Sequence, residues 1–176
     1  MFNFKNKIVD TPDWLVIKDC NVIDTFDSDG SSNGTLIDIL NRNDSIMNKR
    51  KEEQFNQFYM ASVYKHKFKG LHIHPYKVDT IHCIHGKICV AFYPREVPKG
   101  SIELEKMRID DFIFIELGLD NHKTISFPSK YPHGFFGIED LSLIINYRVP
   151  AWTPEDNLQY DLITDELVEK LREEYK

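Results

Sequence analysis

Short apolar runs follow one another from Gln57 to Tyr147, and turn residues separate them. Many short runs with prolines, glycines and Asp or Asn between them are typical of the strands of a sandwich or barrel. The predicted strands cover residues 59–64, 70–74, 80–84, 88–93, 112–117, 123–127, 134–138 and 143–147. Because no long helical period interrupts them, a parallel α/β sheet is disfavoured. The pattern therefore predicts an all-β fold of antiparallel strands.

The two ends of the chain differ from this central region. Residues 14–17 and 35–40 read as short strands on either side of a turn-rich loop at 27–34. Residues 165–175 have helical spacing, with Leu167, Val168 and Leu171 on one apolar stripe. We expect this short C-terminal helix to dock on the strands by that stripe. The length of 176 residues fits a single domain that spans residues 1–176.

Charge and cysteine content narrow the functional class. Lys and Arg number 22 and Asp and Glu number 28, so the formal net charge is −6, and the basic surface of a general nucleic-acid binder is not expected. Cys20, Cys83 and Cys89 form no C-x-x-C pair, which favours free thiols in a reducing compartment. The sequence has no signal-peptide pattern and no apolar run of about 18 residues, so a cytoplasmic protein without a membrane segment is expected.

Histidines are the most informative residues of the chain. Five of the seven lie between positions 66 and 85. On a strand, residues two apart face the same way, so His72 and His74 are predicted to project together. Two imidazoles on one face can bind a metal ion or supply an acid and a base. A second candidate is His133, which a turn with two prolines places at the start of a strand.

Four segments of the chain resemble the dTDP-4-dehydrorhamnose 3,5-epimerase family in order and spacing. They are KGLH at 69–72, IHGKICV at 84–90, FPSKYPHGF at 127–135 and WTP at 152–154. The resemblance runs from about residue 27 to residue 161, which is most of the chain. It implies a cupin-type double-stranded jelly roll of antiparallel strands, and this fold agrees with the strand pattern. The resemblance also implies that the protein is a homodimer, as is usual in the family.

The resemblance also implies an activity. The family, in the racemase and epimerase class, epimerises carbons next to the ketone of a nucleotide-linked 4-keto-6-deoxy sugar for carbohydrate biosynthesis, and the resemblance implies no cofactor. The family's base corresponds to His72, and its second pocket histidine corresponds to His133. Lys69 takes the place of an arginine that helps to bind the nucleotide diphosphate. The further positions assigned to substrate binding are Tyr59, His74 and Trp152.

Three departures from the family pattern support a second interpretation. Trp152 occupies the tyrosine position of a Y-x-P motif, and an indole cannot donate a proton as a phenol does. Asp79 is interpreted as lying at the position of a family lysine, and His74 lies at the position of a family glutamine. Metal-binding cupins carry H-x-H, then an acidic residue and a later histidine. The candidate ligands of a divalent transition metal are therefore His72, His74, Asp79 and His133.

Three hypotheses thus remain open after the sequence. The first, which the sequence favours, is a metal-independent epimerase or isomerase that acts on a nucleotide-linked keto sugar. The second is a divalent-metal-dependent cupin enzyme, either an isomerase or a dioxygenase. The third is a cupin that binds a sugar or nucleotide sugar without catalysis.

Overall fold

The computed structural model describes residues 11–26, 32–39, 57–97, 108–150 and 165–176. The strands, in chain order, are β1 (Val16–Asp19), β2 (Asn21–Phe26), β3 (Ser32–Asp38), β4 (Gln57–Tyr64), β5 (Phe68–His72), β6 (Val78–His85), β7 (Lys87–Phe92), β8 (Ile113–Gly118), β9 (Lys123–Pro128), β10 (His133–Gly137) and β11 (Leu141–Val149). A short 3-10 helix at Ile109–Asp111 precedes β8, and helix α1 is Asp165–Glu174.

Two antiparallel sheets face each other. One has the order β1-β9-β6-β11-β4 and the other the order β5-β10-β7-β8. Every strand pair in them is antiparallel, and most neighbours are not consecutive in sequence, as in a jelly roll. Strands β2 and β3 form a separate hairpin sheet. The predicted antiparallel all-β class and cupin-type jelly roll are confirmed.

The core lies between the two sheets because alternate residues of each strand point inward. On β7, Ile88, Val90 and Phe92 belong to this inner core, while Cys89 and Ala91 are buried on the other face of the sheet. Their burial on both faces explains why β7 reads as a nearly continuous apolar run.

Helix α1 covers the outer face of the four-stranded sheet. Its apolar stripe is buried there, with Leu167 and Leu171 each at 0% exposure. After the helix, the Tyr175 hydroxyl donates a hydrogen bond to Glu116 Oε1 at 2.9 Å. The predicted docked helix is therefore confirmed. No helix among the described ranges has both the length and the apolar character that crossing a bilayer requires.

Two details near the ends of strands differ from the prediction. Strand β5 ends at His72, whereas the sequence pattern continued it to His74. The chain turns there because the backbone N–H of Lys77 donates to the carbonyl of His74 at 3.2 Å. The first strand lies at Val16–Asp19, two residues later than the predicted 14–17, and it pairs with β9.

Candidate functional site

Three histidines converge between the two sheets. His72 ends β5, His133 begins β10, and the two are cross-strand partners. The ring centroids are 6.0 Å apart for His72 and His133, 6.2 Å for His72 and His74, and 6.2 Å for His74 and His133. The structure therefore brings together the histidines that the sequence singled out, although His74 reaches the cluster from a turn and not from the strand.

A close approach of β5 to β10 sets the position of His72. Gly70 has φ +148°, a conformation that favours glycine. A Cβ atom at Gly70 would lie 2.6 Å from Gly134 Cα and 2.8 Å from the carbonyl oxygen of His133. Glycine is thus required at this crossing, and it allows His72 and His133 to lie side by side.

The His133 ring has a defined tautomer. Its Nδ1 lies 2.8 Å from the carbonyl oxygen of Tyr131, and because a carbonyl only accepts, Nδ1 carries the hydrogen. Burial lowers the pKa of His133 to about 3, against the opposing charge of Asp79. The imidazole is therefore neutral near pH 7, with Nε2 as a hydrogen-bond acceptor 3.9 Å from Asp79 Oδ2.

His74 is also buried and neutral. Burial, together with the charge of Arg148, lowers its pKa to about 4. Its Nδ1 is buried and makes no hydrogen bond within the part of the chain that the structure describes. Such an orphaned polar atom is costly unless a ligand or water supplies its partner. This nitrogen is therefore a candidate contact for a bound molecule. His72, by contrast, is only partly buried and is the most accessible of the three rings.

Asp79 lies beside the histidines but is already saturated with hydrogen bonds. Oδ1 accepts from Arg148 Nε at 2.5 Å and from Asn146 Nδ2 at 2.7 Å. Oδ2 accepts from Arg148 Nη2 at 3.2 Å and from the Ser129 hydroxyl. Burial raises the pKa of Asp79, but the charge and hydrogen bonds of Arg148 outweigh it and hold this pKa below its usual value. The carboxylate is thus a buried anion with its own cation.

This arrangement does not fit the metal site expected as an alternative. A metal at Asp79 would have to displace Arg148 or Asn146, and it would face the guanidinium charge of Arg148 at close range. Among the described residues, no group of three or more His, Cys, Asp or Glu side chains is arranged to hold a metal ion. The interpretation of Asp79 as a metal ligand is therefore not supported, because Arg148 supplies the cation that balances its charge.

The opposite wall of the site belongs to the five-stranded sheet. Asn146 on β11 donates from Nδ2 to the hydroxyl oxygen of Tyr59 at 2.8 Å. The guanidinium carbon of Arg148 lies 5.3 Å from the centroid of the Tyr59 ring. Tyr59, which the sequence assigned to substrate binding, is thus joined through Asn146 to Asp79 and lies across the sandwich from β5 and β10.

Sequence reasoning missed four polar residues of this region: Ser129, Asn146, Arg148 and Lys77. Asn146 and Arg148 carried a usable signal, because they are polar residues two apart on a strand whose neighbouring inward position, Ile144, is in the core. Lys77 carried none. It is 2% exposed, it donates to the carbonyl oxygen of Pro150 at 3.2 Å, and its charge acts on His74.

The two remaining predicted substrate contacts are Lys69 and Trp152. Lys69 is exposed on β5, three residues before His72. Trp152 falls outside the residues that the structure describes.

Solved structures with the same architecture are sugar-nucleotide enzymes. One is a dTDP sugar isomerase from Desulfovibrio desulfuricans, with a TM-score of 0.61, 20% identity and coverage of 82% of each chain. A second, dTDP-6-deoxy-D-glucose-3,5-epimerase from Legionella pneumophila in complex with dTDP-4-keto-L-rhamnose, has a TM-score of 0.62 and 14% identity over 84% of this chain and 72% of the other. A third, a 3′-monoepimerase from Streptomyces bikiniensis in complex with dTDP-quinovose, has a TM-score of 0.61 and 12% identity over 81% and 67%.

At these identities the likeness establishes the fold. It confirms, at the level of fold, the resemblance to dTDP-4-dehydrorhamnose 3,5-epimerases that the sequence motifs indicated. No protein-family model and no curated protein sequence matches the chain. The site itself must therefore carry the argument for function.

Proposed function

We propose that the protein is an epimerase of a nucleotide-linked 4-keto-6-deoxy sugar and removes a proton from a carbon next to the ketone. The observation that carries the proposal is the side-by-side placement of His72 and His133 between the sheets, with ring centroids 6.0 Å apart. This is a jelly roll whose structural neighbours include epimerases of such sugars. The spacing of the KGLH and FPSKYPHGF segments supports the same activity.

His72 is the proposed base. A proton next to a ketone is acidic enough for a neutral imidazole to remove it. The pKa values of about 4 for His74 and about 3 for His133 make those rings poor proton acceptors. His72 is also the ring most accessible to a substrate. His133 acts beside it as a neutral hydrogen-bond acceptor through Nε2, and His74 Nδ1 contacts the sugar.

The site also favours the negative charge that proton removal creates. Loss of the proton leaves an enolate, whose oxygen is stabilised by nearby cations and hydrogen-bond donors. The ammonium group of Lys77 is buried, and its positive charge acts on His74. This charge lies in a region shielded from water, where it acts more strongly than at the surface.

Binding of the nucleotide diphosphate of the substrate is assigned to Lys69. The side chain is exposed on the strand that ends in His72, so a sugar held at His72 would extend its diphosphate past this lysine. A lysine retains the charge of the arginine found in the family but lacks its planar pair of donors. We therefore infer a phosphate contact that is ionic and sensitive to salt.

A homodimer is part of the same proposal. Strand β4 is at the edge of the five-stranded sheet, and its outward residues include Phe58, Met60 and Tyr64 at 54%, 61% and 62% exposure. Cross-strand partners continue this surface on β11, where Tyr147 lies opposite Phe58 and Ile145 lies opposite Met60. A long apolar edge strand of this kind is a surface that proteins ordinarily cover.

The test is the stereochemistry of the product. The protein is incubated with dTDP-4-keto-6-deoxyglucose, and the sugar is followed by NMR. We expect inversion at one or both carbons next to the ketone, at a rate well above the spontaneous reaction. Tight binding of the nucleotide sugar with no inversion and no proton exchange would contradict the proposal and would favour a non-catalytic sugar-binding cupin.

A further inference from the structure

The hydroxyl of Tyr59 has its hydrogen-bonding role fixed by its neighbours. The backbone N–H of Thr80 donates to Asn146 Oδ1 at 3.2 Å, which identifies the oxygen of that amide. The amide NH₂ of Asn146 therefore faces Asp79 Oδ1 at 2.7 Å and Tyr59 Oη at 2.8 Å. Because Asn146 donates, the Tyr59 oxygen accepts. The proton of Tyr59 is not used in that bond and remains for another acceptor.

Tyr59 also keeps this proton near neutral pH. Burial raises its pKa above the ordinary value, and the nearby charge of Asp79 acts in the same direction, against the guanidinium of Arg148. The side chain is only partly buried, so it is not sealed inside the core. A neutral phenol with an oriented oxygen is a group suited to proton donation.

Tyr59 lies on the side of the site where the proposed reaction requires a proton donor. Inversion at carbon requires that a proton leave one face of the sugar and return to the other face. His72 projects from β5 in the four-stranded sheet, whereas Tyr59 projects from β4 in the five-stranded sheet that faces it. The two side chains therefore belong to opposite walls of the sandwich, and Asn146 joins Tyr59 to Asp79, which lies 3.9 Å from His133.

We infer that Tyr59 is the catalytic acid that returns a proton to the carbon from the face opposite His72. This inference rests on the proposed function. His72 takes the proton as the C–H bond breaks, and the electron pair forms an enolate. The enolate carbon then takes the Tyr59 proton as the O–H bond breaks, which leaves a tyrosinate held by the Asn146 NH₂ group. Tyrosinate regains a proton from water, and the His72 imidazolium releases one, so no cofactor or oxidant is consumed.

The experiment separates the two proton transfers. Wild type, Tyr59→Phe and Tyr76→Phe are each incubated with dTDP-4-keto-6-deoxyglucose in D₂O, and NMR follows deuterium entry and inversion next to the ketone. Tyr76 is the control, because its side chain is 83% exposed and lies outside the proposed dimer surface. We expect Tyr59→Phe to slow inversion about 10²–10⁴-fold while deuterium still enters at the original configuration, since its base remains. Tyr76→Phe should match wild type.

Other results of this experiment would contradict either the role of Tyr59 or the proposed epimerase activity. Inversion by Tyr59→Phe within a few-fold of wild type would remove Tyr59 from proton donation. If Tyr59→Phe loses deuterium exchange and inversion equally, Tyr59 is also not the proton donor, because it would then act in substrate binding or in proton removal by His72. If wild type itself neither exchanges nor inverts the sugar, the proposed function fails, and the role of Tyr59 falls with it.

Discussion

Arg148 donates two hydrogen bonds to Asp79, from Nε to Oδ1 at 2.5 Å and from Nη2 to Oδ2 at 3.2 Å. Both residues are buried, at 8% and 1% exposure, and they pair across β11 and β6. The bidentate pair neutralises a carboxylate next to the histidine cluster. It supplies the cation that a buried aspartate needs, and it makes Arg148 central to the stability of the site.

Removal of Arg148 should therefore be costly. Arg148→Met leaves Asp79 as an unpaired buried charge, which typically destabilises a protein by about 3–5 kcal/mol. The free energy of unfolding is measured in urea. The control is Arg108→Met, since Arg108 forms an exposed ion pair with Asp110 at 3.6 Å and its loss should change little. Adding Asp79→Asn to Arg148→Met should restore part of the stability. Equal effects of the two single arginine variants would contradict the pairing argument.

The buried neutral histidines predict a loss of stability in mild acid. The pKa of His74 is about 4 when folded, below its ordinary value near 6.5 in the unfolded chain. The unfolded state therefore binds more protons between these values, and the stabilisation present above pH 6.5 is lost as the pH falls towards 4. His133, with a folded pKa of about 3, acts in the same direction.

The measurement is urea unfolding at several pH values between 7 and 4.5. Each buried histidine can add up to about 1.4 kcal/mol per pH unit to the slope. His74→Gln should therefore flatten the pH dependence of the free energy of unfolding, whereas His85→Gln, at an exposed position, should not. A slope that is the same in wild type and His74→Gln would show that His74 is not held neutral.

Lys69 provides a test of the nucleotide end. Lys69→Ala should weaken binding of dTDP, and the difference from wild type should shrink as salt is added, because exposed ionic contacts are screened. Lys67→Ala is the control, since Lys67 is also exposed and lies two residues earlier. Calorimetric titration at low and high salt gives both affinities. If Lys69→Ala binds as tightly as wild type at low salt, Lys69 is only a surface charge.

The outer face of β4 provides a test of assembly. We expect a dimer by light scattering at micromolar concentration. Met60→Glu places a charge in the exposed apolar surface between Phe58 and Tyr64, and it should shift the protein to monomers while the fold is kept. The matched change Tyr76→Glu, at a side chain that is 83% exposed, should leave the dimer intact. A monomeric wild-type protein would contradict the assembly proposal.

The fold could be predicted from the sequence because the patterns that indicate strands and helices lie within short segments of the chain. Short apolar runs between turn residues marked strands such as β6, β9 and β11, and the stripe of Leu167, Val168 and Leu171 marked α1. The Asp79–Arg148 pair could not be read in this way, because the two residues are 69 positions apart. Their contact depends on the register between β6 and β11, which no local pattern encodes. Asp79 was consequently interpreted as a metal ligand.

In the candidate site, too, local motifs predicted some residues, whereas contacts between distant segments could not be predicted. The motifs brought His72 and His133 forward, and Gly70 lets their strands meet. They gave no indication that Lys77 is buried, since its position depends on the turn after His74 and on the carbonyl of Pro150. The role of Tyr59 likewise emerges only from the amide orientation of Asn146, which the backbone of a neighbouring strand determines.

The most direct test of the central claim is the rate at which deuterium from D₂O enters the carbons next to the ketone of dTDP-4-keto-6-deoxyglucose. We predict rapid exchange by wild type and by His85→Asn, and a rate about 10²–10⁴-fold lower for His72→Asn with an unchanged fold. Exchange by His72→Asn at the wild-type rate would contradict the assignment of His72 as the base. Absence of exchange in wild type would contradict the proposed epimerase activity.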